Sequence, residues 1–146
     1  MEAEFAARVL LSLVAVAQGL GPMRADFNRT HATNPTWTSH ARFHVVWQVL
    51  IQCGVSLVVL YLLWGRPEGF GVWIAVALCA NWILTFFATV LAMPRFGGTL
   101  ADADTGIRPF RFGLGDRRLE IDTNLFGACV LSVLVGLGAV LLWVGS

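Results

Sequence analysis

The chain has 146 residues, of which 57% are hydrophobic and only 13% charged, and its mean hydropathy is +0.71. A soluble domain of this length is excluded, because its surface would require far more charge. The formal charge of +1 argues against nucleic acid as a partner, since neutralising many phosphates takes a strongly basic face.

Four apolar runs, approximately Phe5–Met23, Phe43–Trp64, Phe70–Met93 and Asn124–Val144, each come close to the ~20 residues that cross a ~30 Å hydrocarbon core. The predicted fold is all-α: a single four-helix transmembrane domain over residues 1–146, with helices at about 5–23, 40–64, 70–93 and 123–144. The start, Met1-Glu2-Ala3-Glu4, is acidic where a secretory signal would be basic, so the first run reads as a retained membrane helix with Gln18 near its far end.

The first connection, Arg24 to Arg42, is the most polar stretch, and with His44 just beyond it holds all three histidines, His31, His40 and His44, near Asp26, Asn28 and Asn34. Its Asn28-Arg29-Thr30 sequon is a short pattern on a predicted cytoplasmic loop and is read as chance. Thr38 or Ser39 can cap the second helix. Along that helix His40, His44, Gln48, Gln52 and Ser56 follow one another at i+4, a slowly drifting polar stripe that hydrocarbon cannot face. These side chains are expected to point into the bundle or into a wet cavity.

After the short turn Gly65 to Gly69, the third helix repeats the pattern with Asn81, Thr85 and Thr89, and Pro94 is expected to end it. In the second long connection Phe110, Phe112 and Leu114 alternate, Gly115-Asp116 offers a turn, and Leu119 and Ile121 alternate on the way back, which predicts a short β-hairpin between helices three and four. It is either a lid over a site or a solvated connector whose arginines meet lipid phosphates. Asp122 can cap the fourth helix, and the row Ala128, Ser132, Gly136 reads as close helix packing. Cys53, Cys79 and Cys129 lie inside predicted helices without a CxxC spacing and read as packing residues.

Four crossings place both termini and the short turn on one side and the two long connections on the other. All ten basic residues are arginine; Arg24, Arg29, Arg42, Arg95, Arg108, Arg111, Arg117 and Arg118 fall on the long-connection side, against Arg8 and Arg66. The positive-inside bias then predicts a multi-pass protein of a cell (inner) membrane, with cytoplasmic long loops and extracytoplasmic termini. Trp64, Trp73 and Trp143 mark the opposite interface.

All four helices thus bring polar groups to one half of the bundle, while the other half is almost wholly aliphatic. Gln52, Ser56 and Thr89 read mostly as interhelical glue. His31, His40 and His44, with Asp26 and Asp122 (or Glu120), form a candidate acid–base set, because imidazole ordinarily titrates near neutrality. Asn28, Asn34, Trp47, Gln48, Asn81, Trp82 and Thr85 are the candidate substrate-binding residues. A pocket of this kind suits a lipid, isoprenoid or polycyclic molecule entering sideways from the bilayer, for isomerisation, cyclisation or hydration with no cofactor. Metal binding is the rival, since His40-x-x-x-His44 places two imidazoles on one face and His31 could complete a site for a single zinc or iron. A nonenzymatic lipid-binding or scaffold protein is the alternative of a different class. No nucleophile elbow, P-loop or dinucleotide fingerprint is present. No internal repeat supports a transporter, although a homodimer could assemble a pathway.

The run Asp26-x-Asn28-x-Thr30-His31-Ala32-Thr33-Asn34-Pro35, followed by His40-Ala41-Arg42-Phe43-His44, resembles a motif of small uncharacterised four-helix membrane proteins, a resemblance that implies no activity. The layout, a polar first loop with Pro35-Thr36-Trp37 leading into a helix with internal polar residues, also resembles the EXPERA group, which includes sterol isomerases; no catalytic position carries over. The long hairpin-like second connection departs from that group.

Overall fold

The computed structural model describes residues 1–65, 69–101, 109–114 and 117–145. Arg66, Arg108 and the Gly115-Asp116 turn lie outside the described residues, as do the side chains of Arg117 and Arg118. Four helices, α1 (Glu2–Asp26), α2 (Ser39–Trp64), α3 (Phe70–Phe96) and α4 (Thr123–Gly145), are each long and apolar enough to cross a membrane. Between α3 and α4 lies the two-stranded hairpin, β1 (Phe110–Leu114) antiparallel to β2 (Arg117–Ile121), with Phe110 opposite Ile121 and Phe112 opposite Leu119.

The helices run up and down. Arg8 of α1 meets Leu63 near the end of α2, Gly19 meets Ser56, Leu11 meets Gly138 of α4, and Glu4 meets Gly145. Both long connections therefore sit at one end of the bundle.

α1 is the central helix, its buried Ala7, Leu11, Val14, Ala15, Gln18 and Gly19 forming one stripe at helical spacing. Against it pack Val59 and Leu63 of α2, Val72, Ala75, Cys79 and Ile83 of α3, and Val135 and Leu142 of α4. This core occupies the half of the bundle nearer the termini. In lipid it is held by close packing rather than by water exclusion, because acyl chains are as apolar as the side chains themselves. Two polar ties reinforce it. The buried Arg8 guanidinium donates to the Leu63 carbonyl at 2.6 Å and to the Glu4 carboxylate, satisfying one of the orphan carbonyls at the end of α2. Gln18 Nε2 donates to the Cys79 carbonyl at 2.9 Å, joining α1 to α3.

Thr38 caps α2, accepting from Ala41 N at 3.2 Å, and Asp122 caps α4, accepting from Asn124 N at 2.8 Å and Leu125 N at 3.1 Å. Three expectations are corrected. α1 runs to Asp26 rather than Met23, because the Asn28 amide takes up the last carbonyls, those of Arg24 and Ala25. α3 passes through Pro94 and stops at Phe96, where Gly97 turns left-handed at φ 66° and Gly98 N closes back on the Met93 carbonyl. Proline removes one backbone hydrogen bond wherever it stands, and here only Arg95 and Phe96 follow it in the helix, so little structure is left for it to bend. Finally, of the row Ala128, Ser132, Gly136, Ala128 is buried but Gly136 faces open space; the glycines packed against a neighbouring helix are Gly19, against Ser56, Gly138, against Leu11, and Gly145, against Glu4.

Candidate functional site

Beyond Gln18 and Gly19 the helices part toward the long-connection end, and two cavities open there. The first, of about 570 Å³, lies between α2 and α3 and is lined by His44, Trp47, Gln48, Ile51 and Gln52 from one side, Trp82, Thr85, Phe86 and Thr89 from the other, and Pro22 behind. His44, Trp47, Gln48 and Ile51 are all exposed, so the expectation that the whole α2 stripe points inward is corrected. Only Gln52 and Ser56 turn into the bundle, while His44 and Gln48 line a cleft open at the protein surface rather than an enclosed pocket. The second, of about 540 Å³, lies among α1, α3, α4 and the hairpin, with Asp26, Asn124, Phe110 and Phe126 in its wall. Pro22, Gln48, Trp82 and Phe86 line both, and so form the partition between them.

The i+4 stripe on α2 explains the cleft's polar wall. His40 stands at the second position of α2, at the boundary of the span, and its Nε2 is 3.1 Å from the Nε2 of His44, one turn further in. The rings meet edge to face, 4.5 Å between centroids. One nitrogen donates and the other accepts, so a single N–H links the two imidazoles. Phe43 and Trp47 pack beside them. Deeper along the same face, Gln52 Nε2 is buried and has no hydrogen-bond partner among the described residues. Across the cleft the Thr85 and Thr89 hydroxyls turn back on carbonyls of their own helix, at 2.8 Å to Asn81 and Thr85 respectively. They offer oxygen lone pairs to the cleft while their protons are engaged.

The predicted residues divide accordingly. His44, Trp47, Gln48, Trp82 and Thr85 are brought together in the cleft, with His40 at its mouth. His31 joins a different group: its Nδ1 is 2.7 Å from the Thr30 hydroxyl and 3.7 Å from the Asp26 carboxylate, and its ring sits edge-on to Trp37. Asp26 lines the second cavity. Among the described residues no three His, Cys, Asp or Glu side chains converge, so the three histidines form two separate groups. The Asp122 carboxylate is occupied as the α4 cap.

Asn28 and Asn34 are engaged in folding the first connection. Asn28 Oδ1 accepts from the Thr30 N–H and hydroxyl while its amide caps α1; the buried Asn34 accepts from the Thr36 N–H and hydroxyl and donates to the Thr30 carbonyl. Asn81 is exposed and lines neither cavity. Sequence reasoning missed Pro22, Ile51 and Phe86. Phe86 follows Trp82 at i+4 and stacks with it at 6.2 Å, a spacing that could have placed it on the cleft face; nothing in the sequence marks Pro22 as a wall residue.

Residues 10–106 match a family model described as a family of unknown function (DUF6640). The matched segment holds every residue lining the α2–α3 cleft and all three histidines, and stops short of the hairpin and α4. No curated protein and no solved structure matches the chain.

Proposed function

We infer that this chain, which belongs to the DUF6640 family, is a membrane enzyme that moves protons on a lipid-like molecule held in the α2–α3 cleft. The observation that carries this reading is the 3.1 Å coupling of His40, at the membrane boundary, to His44, in a cleft open to lipid. His40 exchanges protons with water, and His44 passes them to and from the bound molecule. A proton taken from one carbon and returned to another balances an isomerisation without a redox partner, and cyclisation or hydration needs the same relay.

Gln52 supports the same reading. An amide N–H buried without a partner costs roughly 1–3 kcal/mol, which an acceptor oxygen on a ligand would recover. At 1.5 Å per residue Gln52 stands about 12 Å further along α2 than His44, so the favoured ligand is an uncharged, elongated molecule with a polar group well inside the bilayer. We place the long connections in the cytoplasm on the arginine distribution.

The test is mass spectrometry of lipid retained by protein extracted directly into polymer nanodiscs. The wild type should carry about one equivalent of a neutral lipid as two interconverting species. Gln52→Leu should lose the lipid, and His44→Ala should hold only the unconverted species. The same two species in unchanged ratio from His44→Ala would reduce the protein to a binding module, and the absence of any retained lipid would remove the reading altogether.

A further inference from the structure

Asn81 stands near the middle of the apolar helix α3 (Phe70–Phe96), yet it is exposed. Its side-chain amide makes no hydrogen bond among the described residues, and it lines neither cavity. Thr85 and Thr89, the other uncharged polar residues along the span, have carbonyl partners on their own helix and face the cleft. The outward stripes of the neighbouring helices, Leu13, Val16 and Leu20 on α1 and Val133, Leu137 and Val140 on α4, are aliphatic. An amide with two donors and an acceptor turned toward acyl chains is costly, so a partner from outside this chain is required.

We propose that the outer face of α3 is the contact between two copies of this chain, centred on a reciprocal hydrogen bond from Asn81 of one copy to Asn81 of the other. The proposal does not rest on the reading of the cleft. Ile74, Ala77, Asn81, Leu84, Ala88 and Leu91 follow one another at alternating spacings of three and four, all exposed, which is the seam along which two helices interlock. Ala77 and Ala88 flank the amide and let the backbones approach closely. Both copies enter the membrane with the same topology, so two α3 helices meet in parallel about a twofold axis along the membrane normal. Asn81 then faces Asn81 at equal depth, and an amide is its own complement, the oxygen of each accepting from Nδ2 of the other. A polar residue at one such position fixes register and a two-stranded state.

The experiment is energy transfer between labelled full-length chains in liposomes, titrated by dilution with lipid, alongside oxidative cross-linking of single cysteines in a background with Cys53, Cys79 and Cys129 replaced. The wild type should dimerise reversibly, and Asn81→Leu should raise the dissociation constant roughly fivefold, the equivalent of the ~1 kcal/mol of one interhelical hydrogen bond in lipid. Ala88→Phe, which keeps the amide and blocks close approach, should weaken the dimer at least as much. Ala88→Cys should cross-link and Val133→Cys on α4 should not. A monomer at every dilution, an unchanged dissociation constant in both variants, or cross-linking through Val133 but not Ala88 would overturn the proposal.

Discussion

Gly138 of α4 lies against Leu11 of α1, where a Cβ would stand 3.0 Å from Cγ and 3.1 Å from Cδ2. Leu11 is fully buried and has nowhere to retreat, so Gly138→Ala should destabilise the bundle by about 1–3 kcal/mol, the usual cost of overpacking. Gly136→Ala, into open space, should stay within about 0.5 kcal/mol. Unfolding of both variants in mixed detergent micelles decides between them, and equal effects would mean that α4 is rotated from the position described. The same contact shows what the sequence left open at this scale. Spacing identified small residues on α4, but which of two neighbouring rows meets α1 depends on the partner's surface, and that is a property of the packed pair. Arg8 makes a similar point. It counted only as a charge on the sparsely basic side, whereas it bridges Glu4 and the end of α2, so Arg8→Met should cost about 2 kcal/mol by stranding the Leu63 carbonyl.

The elements were legible wherever one local rule decided them. Thr38 and Asp122 cap α2 and α4 as their positions before apolar runs suggested, and alternation around a turn gave the hairpin. The hairpin lies over the second cavity because Phe110 and Phe112 both reach Phe126 of α4, 4.9 and 6.0 Å between ring centroids, a long-range contact that no periodicity announces. The end of α3 is set by a glycine rather than by the proline that precedes it. Gly97 sits in the left-handed region, where a Cβ costs roughly 1–2 kcal/mol, so Gly97→Ala should destabilise by about 1 kcal/mol while Pro94→Ala should be neutral or slightly stabilising. Thermal unfolding followed by helical circular dichroism would show the order of the two, and the reverse order would return the helix end to the proline. In the first connection, the buried Asn34 replaces a core: it fixes the backbone from Thr30 to Thr36, and Arg42 donates to its carbonyl at 3.3 Å. Asn34→Ala should open this segment to protease well before the helices unfold.

At the scale of the whole molecule the chain is divided across its length: the apolar core lies toward the termini, where a groove lined by Met1, Glu2, Glu4, Phe5, Arg8 and Trp64 also opens, and the polar stripes meet two cavities toward the long connections. The division was visible as a count of polar residues per helix half. Its form was not, because the opening of the cleft toward lipid depends on how far α3 stands from α2 once Gln18 has tied α3 to α1, and no sequence rule sets that distance. Topology and orientation can be tested separately. In a background with the three native cysteines replaced, Thr33→Cys in the first connection and Ala101→Cys beyond α3 should react identically with a membrane-impermeant maleimide, and Glu2→Cys should react oppositely, whichever way the protein is inserted. If Thr33 and Ala101 differ, an odd number of crossings separates them and the four-span fold fails. With that settled, the arginine asymmetry predicts the direction: Thr33→Cys and Ala101→Cys protected in intact cells and labelled only after permeabilisation. The reverse pattern would keep the fold and cleft but move the His40–His44 relay to the other face of the membrane, where it would exchange protons with a different compartment.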